Sequence, residues 1–217
     1  MKDQSYFLYT ITQKKLRHCL FPLADLTKDE VRSIANEEGL SIVADKRDSQ
    51  GICFFPEKSY VPFLERHMDK KHNMPGPILT ATGEKIGEHK GLACYTIGQR
   101  QGLDIGGPGG PWYVIDKDAA KNALIVGSNE DLFRKDIKIK NVSFVAGYPP
   151  PESHKKTGLR VLARIRHRFT PNDATLHVDA GGNATVVYDD PQRAVTPGQS
   201  LVLYRGDEVL GGGIIVL

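Results

Sequence analysis

Apolar residues along the chain follow first a helical and then a strand-like rhythm. Over residues 5–20, Leu8, Ile11, Leu16 and Leu20 recur at helical spacing behind Asp3 as an N-cap, which predicts one helix. Phe21-Pro22 ends it. Thr27-Lys28-Asp29-Glu30 then reads as a capping box, Val31, Ile34 and Ala35 form one apolar face, and Gly39 supplies the stop. Residues 40–44 read as a short buried strand or extended segment, and 59–67 as a third short helix. Past Asn73-Met74-Pro75-Gly76-Pro77 glycine and proline become frequent and the segments shorten. Residues 78–80 and 83–86 flank the Ala81-Thr82-Gly83 turn as one hairpin, and 112–115 with 123–126 form a second. Six further strands are predicted at 139–144, 158–166, 174–178, 184–188, 200–204 and 208–216. Regular short strands at that spacing favour a closed or nearly closed barrel, which removes exposed sheet edges.

The expected fold class is therefore α+β and mostly β, with a helical segment, a small β-rich unit and a six-stranded β-barrel. Domain boundaries are placed at 1–56, 57–130 and 131–217. Composition agrees with this division: 217 residues at 40% hydrophobic and 25% charged content suffice for packed cores in more than one unit. No apolar run approaches the roughly 20 residues of a membrane helix, and the first residues lack a signal-peptide pattern. A cytoplasmic protein with no membrane partner is expected. Cys19, Cys53 and Cys94 cannot all pair, and none has CxxC or Cys/His ligand spacing, so neither a disulfide framework nor a metal site is expected. The net charge of +3 permits an anionic partner without requiring one.

Candidate chemistry centres on Cys53, in Asp48-Ser49-Gln50-Gly51-Ile52-Cys53-Phe54-Phe55. Lys46, Arg47 and the backbone N–H groups of the 49–51 turn would favour a thiolate there; a lone cysteine flanked by Ile and Phe is more often a small buried hydrophobe, so other residues must decide. The glycine-rich stretch 102–111 lacks the Lys-Ser/Thr of a phosphate loop, and no helix is predicted after it. Gln99-Arg100-Gln101 suits either a backbone-positioning contact or an inter-domain hydrogen-bond network, the structural reading being preferred. Arg164, Arg166 and Arg168 alternate in Arg164-Ile165-Arg166-His167-Arg168, which on a strand puts three guanidiniums on one face. Either carboxylates from a neighbouring strand or phosphates would balance them. Lys2-Asp3-Gln4 combines a cation, an acceptor and an amide at a helix N-terminus, where capping or contact with an anion or base edge is possible. No Ser-His-Asp set and no pair of catalytic carboxylates stands out.

Six motifs in order resemble the tRNA-specific 2-thiouridylases: Lys2-Asp3-Gln4-Ser5-Tyr6-Phe7-Leu8, Asp48-Ser49-Gln50-Gly51-Ile52-Cys53-Phe54, Ile86-Gly87-Glu88-His89, Ile97-Gly98-Gln99-Arg100-Gln101-Gly102-Leu103, Thr196-Pro197-Gly198-Gln199 and Leu210-Gly211-Gly212-Gly213-Ile214-Ile215. The resemblance covers essentially the whole chain but only the later part of such an enzyme. It implies the helical tail of an α/β adenylating domain, a central domain and a carboxy-terminal barrel. The implied reaction moves sulfur to C2 of the wobble uridine, position 34, of tRNA, with ATP as co-substrate activating the C2 oxygen. By matching position Cys53 would carry the persulfide, and Lys2, Asp3, Gln4, Arg166, His167 and Gln199 would contact tRNA. A cysteine desulfurase or sulfur-relay carrier would load Cys53. The family's SGGxDS ATP loop and its earlier catalytic cysteine do not occur among these residues, and Cys19 lies outside any matching motif. A missing adenylating domain or subunit is thereby implied, and the chain alone is expected to be inactive. A non-catalytic tRNA-binding scaffold and a stand-alone sulfur carrier are the alternatives.

Overall fold

A computed structural model describes residues 4–44, 61–68, 74–106 and 109–216. Lys2, Asp3 and Cys53 lie outside these residues, as does most of the 40–60 connection. The helices are α1 (Ser5–Leu8), α2 (Gln13–Leu16), α3 (Lys28–Glu37), α4 (Ser41–Ala44) and α5 (Val61–His67), followed by ten strands. These are β1 (Gly76–Thr80), β2 (Lys85–His89), β3 (Tyr113–Asp118), β4 (Ala123–Gly127), β5 (Phe133–Phe144), β6 (Leu159–Arg164), β7 (Asn172–Val178), β8 (Ala184–Arg193), β9 (Ser200–Arg205) and β10 (Glu208–Val216).

Two expectations for the helical segment are corrected. The helix expected over 5–20 is broken into α1 and α2, because the β-branched run Thr10-Ile11-Thr12 disfavours continuation and Thr12 is extended, with ψ 158°. The break also lets Gln13 N–H reach the Val145 carbonyl at 2.7 Å, tying the segment to the exit of β5. Residues 41–44 are helical, not extended. Leu40 N–H closes on Ala35 O and Ala44 N–H on Leu40 O, so local bonds satisfy a backbone for which no strand partner exists among the described residues. The capping box of α3 is present in both directions, and Gly39 ends the segment at φ +74°.

Both hairpins form, β1 with β2 and β3 with β4, but they are also joined edge to edge. Parallel pairing of β1 with β4 gives a four-stranded sheet of order β2-β1-β4-β3. Ile78, Val114, Leu124 and Val126 are fully buried in its core. The sheet's entry is pinned by His89, whose Nδ1 accepts from Gly91 N–H while Nε2 faces the Asn122 carbonyl at 2.9 Å. The Gln99 side chain bonds within its own loop, accepting from Thr96 N–H and donating to Gln101 O, not across domains.

The remaining six strands close in the order β10-β5-β8-β7-β6-β9, the last pairing again with β10. Alternation does the sorting: Ile137 and Ile139, Val161 and Ala163, Ala174, Leu176 and Val178, and Ala184, Val186 and Tyr188 point inward. Strand β9 departs from it. Leu201 and Leu203 fill the barrel, while Val202 and Tyr204 on the outer side are equally buried beneath Tyr6 and Tyr9 of the amino-terminal segment. A strand covered on both sides reads as a continuous apolar run. Burial of each tyrosine ring stabilises this docking by on the order of 2 kcal/mol. The triple glycine of β10 serves the same junction: a Cβ at Gly211 would fall on the Ser143 carbonyl, and one at Gly212 on the Leu201 carbonyl and the Tyr9 ring.

Candidate nucleic-acid interface

One end of the barrel gathers three segments that are remote in sequence. Strand β6 stops at Arg164, so the aligned-arginine face expected over 164–168 does not form. Ile165 turns into the core, and residues 166–169 make a turn closed by Phe169 N–H on the Arg166 carbonyl at 3.0 Å. Arginines on a turn diverge. Arg164 lies over the Tyr204 ring at 5.1 Å, Arg166 lies over Phe169 at 5.4 Å, and Arg168 is exposed.

Arg166 is oriented by a hydrogen bond from Nη2 to Thr196 Oγ1 at 2.9 Å, and that hydroxyl in turn donates to Ala194 O. Thr196 opens the Thr-Pro-Gly-Gln turn. Gly198 adopts φ +84°, a conformation that only glycine takes readily, and Gln199 N–H returns to Thr196 O at 3.2 Å. The Gln199 carbonyl accepts from Ile215 N–H, so its backbone is fixed to β10 while the residue remains exposed.

The third segment is α1. Gln4 occupies its N-cap position without a side-chain cap bond and is exposed. Tyr6 donates from its hydroxyl to Ser200 O at 2.7 Å, and the Tyr9 hydroxyl lies 3.1 Å from Ser200 Oγ. The His167 ring lies 4.6 Å from the Phe7 ring and 5.7 Å from that of Tyr6. Burial, reinforced by Tyr9 and Tyr204, pushes the Tyr6 phenol up to about 12 against the pull of Arg166 and Arg164. It remains a neutral donor at physiological pH.

Of the sequence-derived candidates, Arg166, His167, Gln199 and Gln4 thus lie on elements that meet. Sequence reasoning missed Thr196 as the anchor of Arg166, and it missed the two phenylalanines beside the cationic turn. The signal for the latter was available in Arg166-His167-Arg168-Phe169, where an aromatic adjoins basic residues. Cys19 is exposed and Cys94 half-buried, and no group of three metal-ligating side chains occurs among the described residues. No helix among them is long and apolar enough to cross a membrane.

Comparison with known proteins divides the chain in three. Residues 1–57 match a tRNA methyl transferase HUP domain, 62–128 a tRNA methyl transferase PRC-barrel domain, and 134–215 an aminomethyltransferase beta-barrel domain. Over 99% of its length the chain is 46% identical to the tRNA-specific 2-thiouridylase MnmA of Alkalilimnicola ehrlichii and 47% identical to that of Moorella thermoacetica. The chain belongs to the tRNA-specific 2-thiouridylase family. The enzyme of Francisella philomiragia is 43% identical over the same share. The chain spans 58% of the length of the first two relatives and 59% of the third. Similarity to the thiouridylases extends through the central sheet and the barrel alike, so the transferase wording of the three domain descriptions and the relatives' name describe one family.

Proposed function

We propose that this chain is the tRNA-facing, sulfur-carrying part of a 2-thiouridylase that modifies C2 of wobble uridine 34. The observation that carries the reading is the convergence of the α1 start, the 165–169 turn and the 196–199 turn at one end of the barrel, through Tyr6 to Ser200 and Arg166 to Thr196. Residues 4–9, 164–170 and 194–200 contribute guanidinium, imidazole, amide and hydroxyl groups and no acidic side chain of their own, Asp3 standing just before the first of them. Phosphates and base edges are what such a surface recognises. In this reading Lys2, Asp3 and Gln4 meet the anticodon region, Arg166 and His167 contact the backbone and bases from the barrel, and Gln199 adds a contact from its turn.

In the proposed reaction, ATP adenylates the C2 oxygen of uridine with loss of pyrophosphate. A cysteine desulfurase or relay carrier loads a persulfide on Cys53. Its terminal sulfur forms the C2–S bond as the C2–O bond to AMP breaks. A second cysteine thiolate then takes the Cys53 sulfur, closing a disulfide and freeing the transferred atom. The SGGxDS loop and the second cysteine have no counterpart in these 217 residues, so the proposal assigns both to the part of the relatives' length that the chain does not span. By itself the chain is expected to bind tRNA without thiolating it. Incubation with ATP, a sulfur-loaded desulfurase and unmodified tRNA tests this; thiolated uridine from the chain alone would contradict it. Cys53→Ser in the full enzyme should abolish sulfane-sulfur loading by the desulfurase, and unaltered loading would remove Cys53 from the mechanism.

A further inference from the structure

Helix α1 buries Tyr6 and Tyr9, three residues apart, against β9, which aims Phe7 away from the barrel because successive helical residues are rotated by about 100°. Phe7 is 60% exposed. Its described ring neighbours are Tyr6, edge-on at 5.4 Å, and His167, tilted by 38° at 4.6 Å. Phe169, 39% exposed, closes the same turn with the Arg166 guanidinium over its ring at 5.4 Å. The helix is already anchored by its tyrosines, and the turn by Ile165 and the Arg166–Thr196 bond. Neither exposed ring is among the buried groups that anchor these elements, yet both sit beside π or cationic partners.

We propose that Phe7 with His167 and Phe169 with Arg166 form two stacking platforms that hold unpaired RNA bases splayed from a loop. The inference rests on the tRNA-facing reading of this surface and adds how it selects: by unstacked bases, not by duplex backbone. An aromatic ring laid against an imidazole or guanidinium offers its other π-face to a base, whatever that base is, whereas bases inside a duplex are already stacked and out of reach. Arg166 has a double role, its charge serving a phosphate while it sits over the Phe169 ring.

The test uses the whole chain with two probes, a short RNA stem-loop carrying 2-aminopurine in the loop and a blunt RNA duplex without a loop. The double variant Phe7→Ala/Phe169→Ala should weaken stem-loop binding by about tenfold or more and relieve the quenching of 2-aminopurine. Duplex affinity and the salt slope should not change. Phe7→Trp/Phe169→Trp should restore stem-loop binding, which separates stacking from general loss of packing. Equal weakening on both probes, or no weakening on either, would overturn the platforms, the latter result leaving the two rings to a protein contact. Arg166→Ala in parallel separates the two readings. If it lowers the salt slope while the phenylalanine variants bind normally, the tRNA-facing surface stands and the platforms fall. If none of these variants changes binding, both fall.

Discussion

The barrel and the α2–α4 segment use apolar residues in opposite ways. In the barrel, large side chains such as Ile139, Leu176, Leu201 and Leu203 are at most 1% exposed, and every strand edge is paired. In α2 and α3 no residue is buried, and Leu20, Ile34, Leu40 and Ile42 stand open to solvent among the described residues. The barrel is held by long-range burial. The helical segment is held by local devices: the Thr27–Glu30 capping box, the turn at Gly39 and the contact of α3 with α4. Between the two lies α1, which belongs to the amino-terminal match but is docked to the barrel by Tyr6 and Tyr9. Among the described residues of that match, the ones proposed to meet tRNA are therefore the ones the barrel organises.

The sharpest way to break the contrast is a matched pair of truncations. Leu203→Ala should cost about 2–5 kcal/mol in urea unfolding, whereas Leu20→Ala should change stability by less than about 0.5 kcal/mol. Similar losses would mean that the two regions are not built differently. Gly212→Ala should cost about 1–3 kcal/mol, because the new Cβ collides with both the Leu201 carbonyl and Tyr9. Amide exchange of α1 should accelerate with it; an unaffected α1 would uncouple the helix from β10.

A pH titration tests the junction itself. The Tyr6 phenol is raised from 10.0 to about 12 by burial, so its folded-state value exceeds that of the unfolded chain. Its contribution is fully present below pH 10, and it is lost as pH rises through about 12. Docking of α1, followed by the chemical shift of Ser200, should weaken in that window, and Tyr6→Phe should remove this pH dependence. The smallest expected effect is local. Thr27→Ala should destabilise α3 by about 1 kcal/mol and speed its amide exchange without changing exchange in the barrel. Hydrogen bonds from Thr27 hold the Glu30 carboxyl below its usual range, so the start of α3 should also loosen as the wild type is acidified until that carboxylate is protonated.

The barrel was legible because alternation survives in four of its six strands, and the capping box of α3 because four consecutive residues encode it. What escaped was set by partners distant in sequence. Thr10-Ile11-Thr12 breaks the first helix where the chain bonds to Val145, and the short stretch 40–44, with only Ser41 polar, cannot distinguish strand from helix without knowing its neighbours. The parallel joint of β1 and β4 leaves no local pattern either. At the candidate interface, Arg166, His167 and Gln199 could be read from motifs. The turn that separates the three arginines, and Thr196 that orients one of them, required the fold.

The central claim, that this end of the barrel faces tRNA, is tested most directly by titrating tRNA binding across salt concentrations with the wild-type chain and with Arg166→Ala. The account predicts weaker binding and a log K against log salt slope reduced by roughly one, the release of a counterion at a single phosphate contact. An unchanged affinity and slope would place the tRNA elsewhere.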